Sequence, residues 1–386
     1  MSWMGKVFLI FVTLVVCAVV GVGLFAFRFL ETPTSIESEE VVFEVRPGES
    51  FKTVAHRLET QHLVSSAALL QLYGRFTGSS NHIRVGEYAI RKDAKPRDIL
   101  ATLTSGKSIE YSITVQEGFN RFEIADLLGQ DKLISRKEFL DLTQDPTFVQ
   151  ELLGEPQPTL EGYLFPETYH VTKFTGAKGL IRMMVARFKE NYSKIQIAPS
   201  VKMTRNEIVT LASIIEKETG APEERAVISS VFHNRLRIGM RLQTDPTVVY
   251  GIWDKNGTWN GNISRDDLLR PTRFNTYVIS GLPPGPISNP GLESLKAAAA
   301  PAQSEFLFFV SRNEGTHVFS KDFGQHQKAV SQYQLDKRAR EGKSWRDLQK
   351  RAAIPAQVIA APPLKAAKKI LATPTPAPAK KKSANP

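Results

Sequence analysis

The chain is short of cysteine: Cys17 stands alone. That excludes a disulfide framework and any site that needs two thiolate ligands. Cys17 lies inside an apolar run, where it reads as a small hydrophobe rather than a nucleophile. The seven histidines are scattered, and no two sit three or four residues apart. A helical two-histidine metal clamp is therefore absent, and no metal or other cofactor is expected. Acid is missing from the C-terminal end, where residues 352–386 hold six lysines and no aspartate or glutamate. The formal charge of +11 thus falls to about +5 over the first 351 residues. No compact Lys/Arg patch with interleaved aromatics remains, so nucleic acid is not an expected partner.

Charge is also missing from residues 7–27, VFLIFVTLVVCAVVGVGLFAF, a stretch of 21 residues. About 20 apolar helical residues cross the hydrocarbon layer. A cleaved signal peptide would have a shorter apolar core followed by a small-residue cleavage site, and RFLETPTSIE offers none. The segment is expected to be an uncleaved single-pass anchor, with residues 1–28 as cytoplasmic start and span. Lys6 and the terminal amine before it, against Arg28 after it, favour a cytoplasmic N-terminus. That orientation puts nearly all of the chain on the outer side of the cytoplasmic membrane.

The 386 residues suffice for two or three domains. Residues 29–40 read as a linker. Over 41–108 the pattern predicts strand, helix, helix, strand: VVFEV before the Pro47-Gly48 turn, a helix capped by Ser50, a helix over 66–76, and IRVGEYAI at 83–90, with a further helix over 96–103. Residues 109–345 read as a mixed α/β body of an overall α+β chain. It contains a strand-like IEYSITV, an amphipathic helix over 176–191, helices over 205–219 and 223–237, a turn-rich region over 243–291, a helix over 292–299 and a buried strand, EFLFFV, at 305–310. The last turn-rich stretch packs five prolines and glycines into residues 281–286, and an irregular loop of that kind is more often functional than accidental. Residues 346–386, rich in Ala, Pro and Lys, are expected to be a disordered tail.

The candidate for chemistry is LASIIEKETG, residues 211–220. On a helical wheel Ile208, Leu211, Ala212, Ile214 and Ile215 form an apolar arc, and Glu218 falls within it. A carboxyl in such surroundings holds its proton to higher pH, as a general acid must. Glu216, two residues earlier, projects to a different face and cannot share a site with it. The alternative reading is a charged helix end satisfied by Lys217 and Arg225. Downstream, HNRLRIGMRLQTDPTVVYG offers Asn234, Arg235, Gln243, Thr244, Asp245 and Tyr250, whose varied polar groups suit directional hydrogen bonds to sugars or an ordinary loop with salt bridges.

EGYLFPETY, ASIIEKET, VFHNRLRIGMRLQTDPTVVYG, FNTY, GLPPGPISNPG and LKAAAAP follow one another in this order. Together they resemble the YceG-like family of endolytic murein transglycosylases, over roughly residues 41–335. The turn PGES and the strand VGEYAI also resemble, loosely, a LysM module that binds amino-sugar polymers; a packing domain without a ligand is the alternative. The family resemblance implies a lytic transglycosylase of nascent peptidoglycan, with Glu218 as the essential acid. It further implies a cleft using Tyr163, Glu167, Asn234, Gln243, Thr244, Asp245, Tyr277 and Asn289, each of which could instead hold the loop shape. It suggests penicillin-binding proteins as neighbours at the inner membrane. Two rivals stand beside it: a muramidase-type hydrolase with Asp245 or Glu167 as second carboxylate, and a membrane-tethered glycan-binding scaffold without activity.

Overall fold

A computed structural model describes residues 3–130, 133–259 and 261–335. The tail expected to be disordered lies outside the described residues. The chain divides into two compact units.

The first unit holds residues 3–111 and 171–174. Helix α1 (Trp3–Glu31) is long and apolar enough to cross a membrane, and its apolar window is unburied. It runs into the segment read as a linker. Phe29 joins the unit's apolar core, and Glu31 pairs with Lys95 and Arg97 at the start of a later helix. Strand β1 (Glu40–Val45), helices α2 (Phe51–Thr60) and α3 (Ala67–Phe76), and strand β2 (Gly86–Arg91) follow in the expected order. Ser50 and Ser66 accept the N3 backbone N–H of α2 and α3, at 3.2 and 3.3 Å, which satisfies a donor that the helix itself leaves free. The strands pair antiparallel with Phe43 opposite Tyr88. Both rings are fully buried with Val54, Leu58 and Leu70, and with Ile99 and Leu103 from α4 (Pro96–Ser105).

The second unit holds residues 112–170 and the described residues from 175 to 335. Strand β3 (Tyr111–Thr114) pairs with β4 (Thr168–Val171). Between them lie α5 (Arg121–Gln130), α6 (Arg136–Leu142) and α7 (Pro146–Leu153). Helix α8 (Gly176–Tyr192) buries one face, from Ala177 to Phe188. Helix α9 (Arg205–Glu218) starts with a reciprocal capping box between Thr204 and Glu207. Its burial is wider than the predicted arc: every residue from Ile208 to Ile215 is buried, Thr210 and Ser213 included. Ser213 is accommodated because it hydrogen-bonds the Pro/Gly-rich loop, accepting Ile287 N–H at 3.0 Å and receiving Ser288 Oγ on its carbonyl at 3.1 Å.

The helix read over 223–237 is preceded by a 3₁₀ turn at Pro222–Glu224, and α10 spans Arg225–Arg237. The region read as turns contains two helices, α11 (Asp245–Asn256) and α12 (Arg265–Leu269). Pro246 lies in the first turn of α11, where a missing N–H costs no helical bond. Helix α13 (Leu292–Ala299) packs on α9. The strand read over 305–310 is shorter and less buried than predicted. It is β5 (Phe308–Ser311), the first arm of a hairpin with β6 (His317–Ser320), and Val310 alone of its residues is buried. Helix α14 (Phe323–Val330) packs against both arms.

Candidate active site

Glu218 is the last residue of α9. Thr219 leaves the helix with an extended backbone, and Gly220 and Pro222 prevent its continuation. A helix C-terminus is the negative end of the macrodipole, which further disfavours an ionised carboxyl there. Glu218 keeps some solvent access, yet the protein around its carboxyl is dense. Desolvation, with the nearby charge of Asp245, pushes it up to about 7, against the Thr244 hydrogen bond and the charge of Arg235. The group therefore holds a proton close to neutral pH.

The facing wall is the turn 242–245. Gln243 has φ of 49°, a left-handed conformation that non-glycine residues adopt at a cost, and such strain persists where the surroundings over-determine it. Here they do. Arg235, 7% exposed, donates Nη1 to the Leu242 carbonyl at 2.6 Å and Nε to the Leu307 carbonyl at 2.7 Å. Gln243 N–H bonds the Thr276 carbonyl at 3.2 Å, and Thr244 N–H bonds Thr276 Oγ1 at 3.1 Å. Thr247 closes the set, donating to the Thr244 carbonyl at 2.7 Å. The turn so held aims the Thr244 hydroxyl at Glu218 Oε1. Next in sequence, Asp245 Oδ1 accepts the Tyr277 hydroxyl at 2.6 Å.

A cleft of about 260 Å³ opens beside this acid, lined by Glu117, Gly118, Glu216 to Gly220 and Arg225. Glu216 has a structural task there: it accepts the Gly291 N–H at 2.9 Å ahead of α13 and lies 3.6 Å from the Arg225 guanidinium. Lys217 donates to the Gly118 carbonyl at 3.1 Å. The charged helix end expected as the alternative thus exists, but it uses Glu216, while Glu218 faces Thr244. Desolvation first, and then Glu216, raise Glu117 above the ordinary carboxylate range.

Of the predicted site residues, Glu218, Thr244, Asp245 and Tyr277 are linked by hydrogen bonds and charge, with Gln243 in the same turn. The other four are engaged elsewhere in the fold. Tyr163 is fully buried and donates to Asn206 Oδ1 at 3.1 Å. Glu167 is clasped by Arg187, with Nη2 at 2.7 Å. Asn234 donates to the carbonyls of Ser304 and Phe306 at 2.9 and 3.1 Å. Asn289 is buried and donates to the Phe119 carbonyl and to Glu161, both at 2.9 Å. Sequence reasoning missed Thr276, Glu117 and Glu161, and it grouped Arg235 with polar groups suited to sugars, whereas that side chain is spent on the Leu242 and Leu307 carbonyls. Among the described residues, no three His, Cys, Asp or Glu gather as a metal site.

A carboxyl protonated near neutrality, hydrogen-bonded to a rigid polar turn and bordering a cleft, is a candidate general-acid site. A model of the YceG-like family matches residues 43–332, and the chain belongs to that family. A curated relative from Bacillus subtilis (strain 168), an endolytic murein transglycosylase, is 31% identical over 81% of this chain and 90% of its own length. A protein of the same name from Streptococcus pneumoniae serotype 2 (strain D39) is 28% identical, and the match covers 76% of this chain and 58% of that protein. A crystal structure of a YceG-like protein from Listeria monocytogenes is similar at 30% identity, with a TM-score of 0.49, over 75% of this chain and 98% of that one.

Proposed function

We propose that this chain is a membrane-anchored lytic transglycosylase that cuts nascent peptidoglycan within the strand. The observation that carries the reading is the Glu218 carboxyl, held neutral to about 7 at the edge of a cleft; family membership gives it a substrate.

Glu218 gives its proton to the oxygen bridging N-acetylmuramic acid and N-acetylglucosamine as the β-1,4 bond breaks. Positive charge develops at the muramyl anomeric carbon. The carboxylate then takes the proton of the same sugar's carbon-6 hydroxyl, whose oxygen bonds to that carbon. The product is a 1,6-anhydro end, no water is consumed, and no second carboxylate is needed. Intramolecular attack gains from proximity. Gln243, Thr244, Asp245 and Tyr277 form the sugar-facing wall, and Tyr163, Glu167, Asn234 and Asn289 keep the cleft in shape. Helix α1 crosses the inner membrane and places the body on its outer side, where new strands emerge and penicillin-binding proteins work. The first unit is a LysM-like glycan-binding module, and the basic tail is a solubilising extension.

The test is digestion of uncrosslinked glycan by the full chain in detergent, with mass analysis of the ends. Anhydro ends from the parent and none from Glu218→Gln are expected. Anhydro ends released by Glu218→Gln would defeat the assignment, and reducing ends from the parent would favour hydrolysis.

A further inference from the structure

Glu161 carries a second buried carboxyl that the proposed chemistry does not use. It is 1% exposed, and its two oxygens collect donors from three distant parts of the chain. Arg121 N–H reaches both oxygens at 3.1 and 3.0 Å, ahead of α5. Asn289 Nδ2 reaches Oε1 at 2.9 Å from the Pro/Gly-rich loop. The Tyr250 hydroxyl reaches Oε2 at 3.0 Å from the middle of α11.

A buried carboxyl with so many donors is costly to disturb, because every donor it releases is left without a partner. What matters is where the three parts lead. The 118–121 segment lines the cleft through Gly118 and is tied twice to Asn289, by Gly118 N–H to the Asn289 carbonyl at 2.9 Å and by Asn289 N–H to the Phe119 carbonyl at 2.8 Å. The loop leads on from Asn289 to Gly291, which Glu216 holds. Helix α11 begins at the Thr244–Asp245 wall. Tyr250 itself is wedged against Phe274 and Phe122, so a shift at its hydroxyl carries into the helix.

We propose that Glu161 is a positioning residue: it ties the cleft-lining segment at Gly118, the loop that Glu216 holds at Gly291 and the helix that starts at the Thr244 turn to one buried point, and so fixes the distance between the acid and the turn that faces it. The inference rests on the reading of Glu218 as the acid. Catalytic groups misplaced by an ångström lose rate steeply, whereas binding of a long polymer over many subsites changes little.

Glu161→Gln replaces one acceptor by a donor, and the Tyr250 hydroxyl can rotate to accept from it. Tyr250→Phe removes one donor and leaves the ring packing in place, so it serves as the milder variant. Both are assayed as full chains in detergent, for kcat and KM on uncrosslinked glycan, after thermal melting confirms that the variant is folded at the assay temperature. Glu161→Gln is expected to lower kcat by roughly tenfold or more with KM within about threefold. Tyr250→Phe should move in the same direction by a few-fold. A parent-like kcat in both folded variants, or a loss confined to KM, would overturn the proposal. Glu218→Gln run alongside separates the two readings: full activity there defeats the assignment of the acid, whereas an inactive Glu218→Gln beside a parent-like Glu161→Gln defeats this inference alone.

Discussion

The Thr244 hydroxyl hydrogen-bonds the Glu218 carboxyl and so joins the last turn of α9 to the residue just ahead of α11. A donor favours the ionised carboxyl, so this contact opposes the desolvation that keeps the proton on. Thr244→Val should release the proton at higher pH. The alkaline limb of the pH–rate profile is expected to move up by roughly one unit, the equivalent of about 1.4 kcal/mol. A limb that stays in place or moves down would show that the contact does not tune the acid.

Asp245 acts in the opposite sense. Its negative charge raises Glu218, and the Tyr277 hydroxyl holds that charge in place. Asp245→Asn removes the charge and keeps the shape, so the alkaline limb should shift towards acid by a few tenths of a unit to about one unit. The position of the limb is the readout, since amplitude also reflects any contact with substrate. Parallel shifts in Thr244→Val and Asp245→Asn would contradict the electrostatic account.

A third expectation concerns stability. The Glu218 carboxyl sits at about 7 in the fold against 4.5 as its ordinary value. The folded state therefore favours the protonated form. The stability this contributes is complete below about 4.5 and is lost as pH rises through 7. Glutamine cannot ionise, so Glu218→Gln should lose less stability than the parent between pH 6 and 9, by roughly 1 kcal/mol. Glu161, also pushed up to about 7, is present in both proteins and cancels in the difference. Denaturant melts at the two pH values measure it, and equal losses would mean that Glu218 is not desolvated in the fold.

Glu218 was legible in the sequence only as a candidate: the local pattern permitted an acid there but equally a charged helix end, and the family resemblance made the choice. Ile214 and Leu211 lie within two turns of Glu218, and Gly220 and Pro222 mark where the helix stops. The facing turn was legible as a list of polar residues but not as a structure. Asp245-Pro246 and Asn256-Gly257 read as turn dipeptides, yet the first opens α11 and the second closes it. The turn-holding role of Arg235, and Thr276 altogether, were illegible because their partners, Leu242, Leu307 and Thr244, are brought to them by tertiary folding alone. The same holds for Glu161, whose contact with Asn289 joins residues 128 apart in sequence. One sign of it was available: an acid set between Leu160 and Gly162 in a segment otherwise dense in aromatics.

Gly162, next to Glu161, gives the last prediction. Its φ is +85°, and a Cβ there would stand 2.5 Å from Pro286 Cγ, 2.6 Å from Pro286 Cβ and 2.8 Å from Val209 Cγ1. A proline ring cannot rotate away, and Val209 is buried on α9. Gly162→Ala must therefore displace the Pro/Gly-rich loop as well as adopt an unfavourable backbone. Gly154→Ala is the matched control, since Gly154 has φ of +75° but open space around it. The control should cost about 1–2 kcal/mol from the backbone alone. Gly162→Ala should cost several kcal/mol, a fall in Tm of about 10 °C, with loss of glycan cleavage because Pro286 leads into the segment that Glu161 and Glu216 hold. Equal Tm losses in the two variants would show that the loop gives way freely and that close packing at Gly162 does not support the cleft.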